Sequence, residues 1–144
     1  METKIYNFLP ASAKSIREDV FIKEQGFESE YDNIDNIATH LVLFDLDTPV
    51  ATCRVFAADT EGVYILGRLA VKKERRGKGV GSLMLKQAEE YVASVGGIAL
   101  TLHSQLHAQD FYQNCGYAPY GEIEYEQDCP HIWMRKDIKR SKLL

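Results

Sequence analysis

A chain of 144 residues, 45% of them hydrophobic, suits one domain with one core, taken here as residues 1–144. No apolar run approaches the ~20 residues of a bilayer span, and a net charge of −4 argues against nucleic acid as a partner, so a membrane or nucleic-acid role is not expected. The opening Met1-Glu2-Thr3-Lys4-Ile5 lacks the basic start and apolar core of a signal peptide, and the expected location is cytoplasmic. Cys53, Cys115 and Cys129 are an odd number without metal-ligand spacing, so they are expected as reduced thiols, and no metal is expected.

Lys4 to Leu9 is expected as a short strand, and Pro10 to open a helix that Gly26 ends. A polar loop should fill 26–36. Thr39–Leu46 and Val50–Ala57 are expected as a hairpin turning at Asp47-Thr48-Pro49, with Val63–Val71 as the next strand. Val80, Leu83, Met84, Ala88, Tyr91, Val92 and Val95 recur every three or four residues, which predicts an amphipathic helix stopped by Gly96-Gly97. Ile98–Leu102 should be a strand. Ala108, Phe111, Tyr112 and Cys115 predict a further helix that Gly116 ends. Tyr117–Glu122 and Ile132–Arg135 are expected as a closing pair of strands, and Lys139–Leu144 as a frayed end. Strands and helices in this order imply a mixed α/β sheet.

Charge is unevenly spread. Between Arg17 and Asp47 nine acidic residues stand against Arg17 and Lys23; between Lys72 and Lys86 six basic residues stand against Glu74. The acidic stretch reads best as solvated surface, with a cationic acceptor as the alternative. The basic stretch carries more information, because Gly77, Gly79 and Gly81 fall within it, between an apolar strand and the amphipathic helix. A helix N-terminus offers unpaired N–H groups and partial positive charge, and glycines let that backbone approach a ligand closely. With Arg75, Arg76 and Lys78 on the same turn, the segment is built to hold a pyrophosphate. It is not a P-loop, since Gly77-Lys78-Gly79-Val80-Gly81-Ser82 lacks that spacing, and its alternating glycines do not fit a dinucleotide fingerprint.

Arg76-Gly77-Lys78-Gly79-Val80-Gly81 resembles the R/Q-x-x-G-x-G/A signature of the GNAT superfamily of acetyl-CoA-dependent N-acetyltransferases. Gly67-Arg68-Leu69-Ala70-Val71 is similar to the strand that precedes it, and Ala108-Gln109-Asp110-Phe111-Tyr112-Gln113-Asn114-Cys115-Gly116-Tyr117 to the family's A-x-x-F-Y-x-x-x-G-F/Y segment. Val20-Phe21-Ile22-Lys23-Glu24-Gln25, with His40-Leu41 and Cys129-Pro130-His131-Ile132-Trp133-Met134-Arg135, resembles the small bacterial ElaA-like branch. The resemblance implies a mixed, mostly antiparallel central sheet flanked by helices, whose fourth and fifth strands splay apart around acetyl-CoA. By the same resemblance, the backbone of Leu69, Ala70 and Val71 bonds the pantetheine arm, and Arg76, Gly77, Lys78, Gly79, Val80, Gly81 and Ser82 hold the pyrophosphate.

The activity implied is transfer of an acetyl group to a primary amine of a small molecule or peptide, by direct attack in a ternary complex. A non-catalytic acyl-CoA-binding sensor or partner module would use the same turn, and a monomer or homodimer suits either. Tyr112 is the family's candidate acid for the departing thiolate, or else a core aromatic. Glu24, four residues after Val20 and read as sharing its inward stripe, and His40, with a side chain suited to proton transfer, are candidates for the base or for an amine anchor; a water chain is a third route. Arg54, Gln105 and His131 are candidate substrate contacts, though Arg54 could equally pair with an acid inside the sheet, which is the preferred reading for Arg68. His103 and His107 are weaker candidates, and Trp133 reads as core or pocket wall.

Overall fold

The computed structural model describes residues 1–28 and 30–138; the tail 139–144, expected to fray, lies outside the described residues. Seven strands form one mixed sheet in the order β1-β2-β3-β4-β5-β7-β6. The described residues divide into two compact units, 1–56 with 67–88, and 57–66 with 89–138. The boundaries fall inside single elements, the strands Thr48–Ala57 and Val63–Val71 and the helix Val80–Ser94, each of which gives one part to one unit and the rest to the other.

The first unit opens with β1 (Glu2–Tyr6), shorter and earlier than the 4–9 expected. It runs antiparallel to β2 (Thr39–Asp45), from Glu2 opposite Phe44 to Tyr6 opposite His40, and then leaves the sheet for α1 (Ala11–Arg17). The helix does continue toward Gly26, but from Glu18 to Glu24 it is a π-helix, and Gly26 ends it at φ +76°. The expectation that Glu24 shares the buried stripe of Val20 is corrected: it stands in the last turn before Gly26, is exposed, and turns its carboxylate to Arg76. Ala13, Ile16, Val20 and Phe21 pack instead with Val42 and Ala70 to form the core of this unit, with Tyr6, Leu9, Phe27 and Phe44 at its margin.

The expected polar loop contains a 3₁₀ turn, Asn33–Asn36, capped reciprocally by Asp32 and Asp35. β2 and β3 (Thr48–Ala57) form the hairpin, but the turn is Leu46-Asp47 and Pro49 belongs to the strand. Leu46, 91% exposed, takes a left-handed φ of +54°. A register shift between Leu43 and Phe44 lets the ladder run past Pro49, which has no N–H to give. β4 (Val63–Val71) begins and ends as expected.

α2 (Val80–Ser94) spans the unit boundary; Val80, Met84, Leu85 and Ala88 are buried in its first part and Val92 in its second, while Val95 lies past its end and exposed. In the second unit, the first half of β4 pairs in parallel with β5 (Ala99–Gln105), Val63–Leu66 lying opposite Ala99–Leu102. Both strands run on beyond that register. β5 is longer than its apolar pattern, because β7 (Cys129–Asp137) supplies partners as far as Gln105 opposite His131. A 3₁₀ turn leads from β5 into α3 (Gln109–Asn114). β6 (Ala118–Glu126) and β7 are a longer hairpin than expected, closed by Gln127-Asp128 with both residues at positive φ.

Candidate functional site

The glycine turn is built within the first unit. β4 ends at Val71, and Lys72 N–H donates to the Val50 carbonyl at 3.0 Å, anchoring the exit to the start of β3. Lys73–Arg75 makes one 3₁₀ turn. Arg75 is tied down by Asp45 at 2.6 Å, and Arg76 Nε donates to the Val71 carbonyl at 3.1 Å. Gly77 and Gly79 take φ of +75° and +78°, the left-handed region where a side chain is strained, and no atom lies within 4 Å of where a Cβ would stand on either. Leu83 N–H donates to the Gly79 carbonyl at 3.0 Å, closing the first turn of α2, so the amides of Val80 and Gly81 sit at the positive end of a fifteen-residue helix. Upstream, Arg68 has a left-handed φ of +52° inside β4.

Arg76 holds a partner that sequence alone did not assign. Its guanidinium makes a two-point ion pair with Glu24, the second contact at 2.7 Å. That hydrogen bond keeps the Glu24 carboxyl below the ordinary carboxylate range.

Three further acids of the segment, Glu30, Asp32 and Asp35, meet arginines. Arg17, 1% exposed, bonds Glu30 at 2.6 Å and Asp35 at 2.8 and 3.0 Å. Arg54, also buried, reaches Asp32 at 2.6 and 3.0 Å and Asp35 at 3.0 Å. Arg68 lies 2.9 Å from Glu30 and 3.4 Å from Asp32. Three guanidiniums thus meet three carboxylates in one network. Burial raises the Asp35 carboxyl, but Arg17 and Arg54 outweigh it and hold Asp35 at about 2. Burial wins at Glu30, whose carboxyl is pushed up despite Arg17, and its Oε2 is buried with no hydrogen bond. The solvated surface expected for this stretch holds for Glu18, Asp19, Glu28 and Asp47, which are exposed, whereas Glu30 and Asp35 are drawn inside by distant arginines.

Arg54 is therefore engaged with acids, not presented to a substrate anion. His40 is equally committed: fully buried, it places Nε2 3.0 Å from the Asp35 carbonyl, which can only accept, so Nε2 carries the proton. Burial pushes its pKa down. Among the described residues no group of three or more His, Cys, Asp and Glu side chains is placed to hold a metal ion.

In the second unit, Tyr112 is buried on α3, edge-on to Phe111 at 5.0 Å and to Tyr117 at 6.0 Å. The Tyr117 hydroxyl donates to Glu89 at 2.9 Å, and Lys136 pairs with the same carboxylate. Burial beside Glu89 raises the Tyr117 pKa. His107 hydrogen-bonds the Gln105 side chain. His131 donates from Nδ1 to the Cys129 carbonyl at 2.8 Å and stands 4.9 Å, ring to ring, from His103.

A family model described as the acetyltransferase (GNAT) domain matches residues 11–138. The chain belongs to the GNAT acetyltransferases. Its relatives include the uncharacterized N-acetyltransferase YjcF of Bacillus subtilis (strain 168), 36% identical over 125 residues, which are 85% of this chain and 88% of that one. Among solved structures, Escherichia coli ElaA superposes with a TM-score of 0.82 at 27% identity, over 94% of this chain and 98% of its own. An aminoglycoside 6'-N-acetyltransferase complexed with coenzyme A shares the fold, with a TM-score of 0.75 at 18% identity over 98% of this chain and 99% of that one. The protein is an N-acetyltransferase, and acetyl-CoA is its acetyl donor. No helix among the described residues is long and apolar enough to cross a membrane.

Proposed function

We propose that the enzyme transfers acetyl from acetyl-CoA to a primary amine of a small molecule or peptide by direct attack in a ternary complex. The observation that carries this is the open glycine turn, with Gly77 and Gly79 left-handed at the positive end of α2. The diphosphate sits against the backbone of Gly77 to Ser82 with Arg76 and Lys78 beside it, and the Leu69–Val71 backbone bonds the pantetheine arm. The two compact units are halves of one acetyltransferase domain, a reading supported by the family match, which runs through both.

A lysine-like amine with a pKa of ~10.4 must lose a proton at a cost of roughly 4.6 kcal/mol at pH 7, whereas a thiol of pKa ~8.5 is already a tolerable leaving group. Proton removal from the amine is thus the heavier demand. Glu24 is clamped by Arg76 and His40 is bonded to a carbonyl, so water carries the proton away unless cofactor binding first frees Glu24. Tyr112 protonates the leaving thiolate. The protein acts in the cytoplasm, as a monomer or homodimer.

Two measurements test this. Gly79→Glu places a strained, negatively charged side chain on the turn and should abolish coenzyme A binding in calorimetry while the circular dichroism spectrum is retained; unchanged affinity would refute the site. Tyr112→Phe should lower kcat and leave the KM for acetyl-CoA unaltered; an unchanged kcat removes Tyr112 from the reaction.

A further inference from the structure

The three arginines and three acids of the first unit form more than a set of pairs. Arg17 meets Glu30 at 2.6 Å, Glu30 meets Arg68 at 2.9 Å, and Arg68 meets Asp32 at 3.4 Å. Asp32 meets Arg54 at 2.6 Å, Arg54 meets Asp35 at 3.0 Å, and Asp35 returns to Arg17 at 2.8 Å. Positive and negative groups alternate around a closed ring that joins the end of α1, the loop before β2, β3 and β4. Arg17, Glu30, Asp35 and Arg54 are buried. The open side of the ring is the edge between Arg68 and Asp32, whose side chains are 29% and 37% exposed, and it is also the longest of the six contacts.

Arg68 is where the ring reaches β4, and its φ of +52° is left-handed. For a residue with a Cβ that conformation is disfavoured roughly tenfold or more. The parallel register of β4 on β5 ends at Leu66, so that ladder does not set the backbone at 68. The side chain is gripped instead. Its Nε donates to the Glu30 carbonyl at 3.1 Å and stands 2.9 Å from Glu30 Oε1, and its Nη2 donates to Asp32 at 3.4 Å. One residue earlier, a Cβ on Gly67 would stand 3.3 Å from Arg54 Nε, so the ring lies directly against the strand.

Resting on the reading that the Leu69–Val71 backbone bonds the pantetheine arm, we propose that Arg68 is a positioning residue for the acetyl donor, through which the acids of the 30–35 loop act on donor binding. The carboxylates grip the guanidinium, the guanidinium holds residue 68 left-handed, and that conformation aligns the three residues that follow. Strain of this kind persists only where the surroundings over-determine it, and a site competent in a fraction of molecules binds more weakly by that fraction.

Arg68→Met keeps the Cβ penalty and removes the grip, so its KM for acetyl-CoA should rise about 10-fold with kcat at saturating donor unchanged. Arg68→Gly removes grip and penalty together, and its KM should stay within about 3-fold of the unaltered enzyme. Both variants lose the same ion pairs, so lost charge or lost stability by itself predicts no advantage for glycine. Asp32→Asn keeps the oxygen that caps the 3₁₀ turn; it should raise the KM for acetyl-CoA about 3-fold in the unaltered enzyme and have no effect in Arg68→Gly. Calorimetry with coenzyme A should give the same ranking without turnover. A glycine variant as impaired as the methionine one, an unchanged KM in Arg68→Met, or an equal effect of Asp32→Asn in both backgrounds overturns the proposal, and the unaltered enzyme's own binding of coenzyme A leaves the acetyltransferase reading standing. Asp32 is exposed, so its variant in the unaltered enzyme reads out even where an Arg68 variant does not fold, and an unchanged KM there overturns the proposal as well.

Discussion

Arg17→Met tests whether the guanidinium network holds the first unit together. The side chain is 1% exposed and satisfies both Glu30, at 2.6 Å, and Asp35, at 2.8 and 3.0 Å. Methionine fills similar space without charge, so the change isolates electrostatics from packing. Breaking one side of a buried ion pair costs about 3–5 kcal/mol, because the remaining carboxylates stay desolvated. Arg54 still faces Asp35 and Arg68 still faces Glu30, which places the loss near 3 kcal/mol, the lower end of that range. At roughly 3–4 °C per kcal/mol for a chain of this size, thermal unfolding should drop by about 10 °C. The carboxyl of Glu30 is already raised by burial, and without Arg17 it rises further. Adding Glu30→Gln to Arg17→Met should therefore restore about half of the loss, as should acidification that protonates Glu30. Urea unfolding at pH 7 and at acid pH measures both. A loss below about 1 kcal/mol, or no recovery with Glu30→Gln, refutes the claim that these charges are structurally required.

Glu24→Gln should tighten coenzyme A binding about 2–5-fold by calorimetry, because an ion pair about one-third exposed and worth roughly 0.5–1 kcal/mol no longer competes for Arg76; weaker binding would count against Arg76 as a phosphate contact. Gly97→Ala sets a Cβ 2.4 Å from Val92 Cγ1 and 3.0 Å from the Tyr64 ring, so a destabilisation of about 1–3 kcal/mol is expected in denaturant titration, and a neutral result would mean that α2 shifts freely there. His40 is held neutral by burial, so the unfolded chain binds more protons below its ordinary pKa of ~6.5 and stability falls as pH drops through that range. Replacing it with glutamine should flatten the change in Tm between pH 7 and pH 5, and identical pH profiles would exclude His40 as the group responsible.

The parts legible in the sequence are those encoded by neighbouring residues. The three-and-four spacing from Val80 to Val92 is enough to predict α2, since an amphipathic stripe is a property of consecutive positions. The glycines at 77 and 79 announce a turn that only they adopt without strain, and with the basic residues around them they announce an anion site. The bounds of β4 follow from an apolar run that needs no knowledge of its partners. Even the failures among the strands are local in origin: Leu46, Gln127 and Asp128 occupy left-handed turn positions without being glycine, so nothing in their identity marks the turn.

Tertiary structure decided which charge meets which. Arg76 and Glu24 are 52 positions apart, and Arg54 and Asp32 are 22 apart; no pattern in either segment names the other. Sequence reads the acids of residues 17–47 as one solvated surface, while folding brings three arginines to Glu30, Asp32 and Asp35 and leaves Glu18, Asp19, Glu28 and Asp47 exposed. On β6 an edge-strand register shift sets Glu124 against His103 and Glu126 against His131, a meeting that no local pattern names. Composition fixes how many charges a chain carries, but desolvation and the short range of screened attraction make their effect depend on the few ångströms that only the folded chain sets.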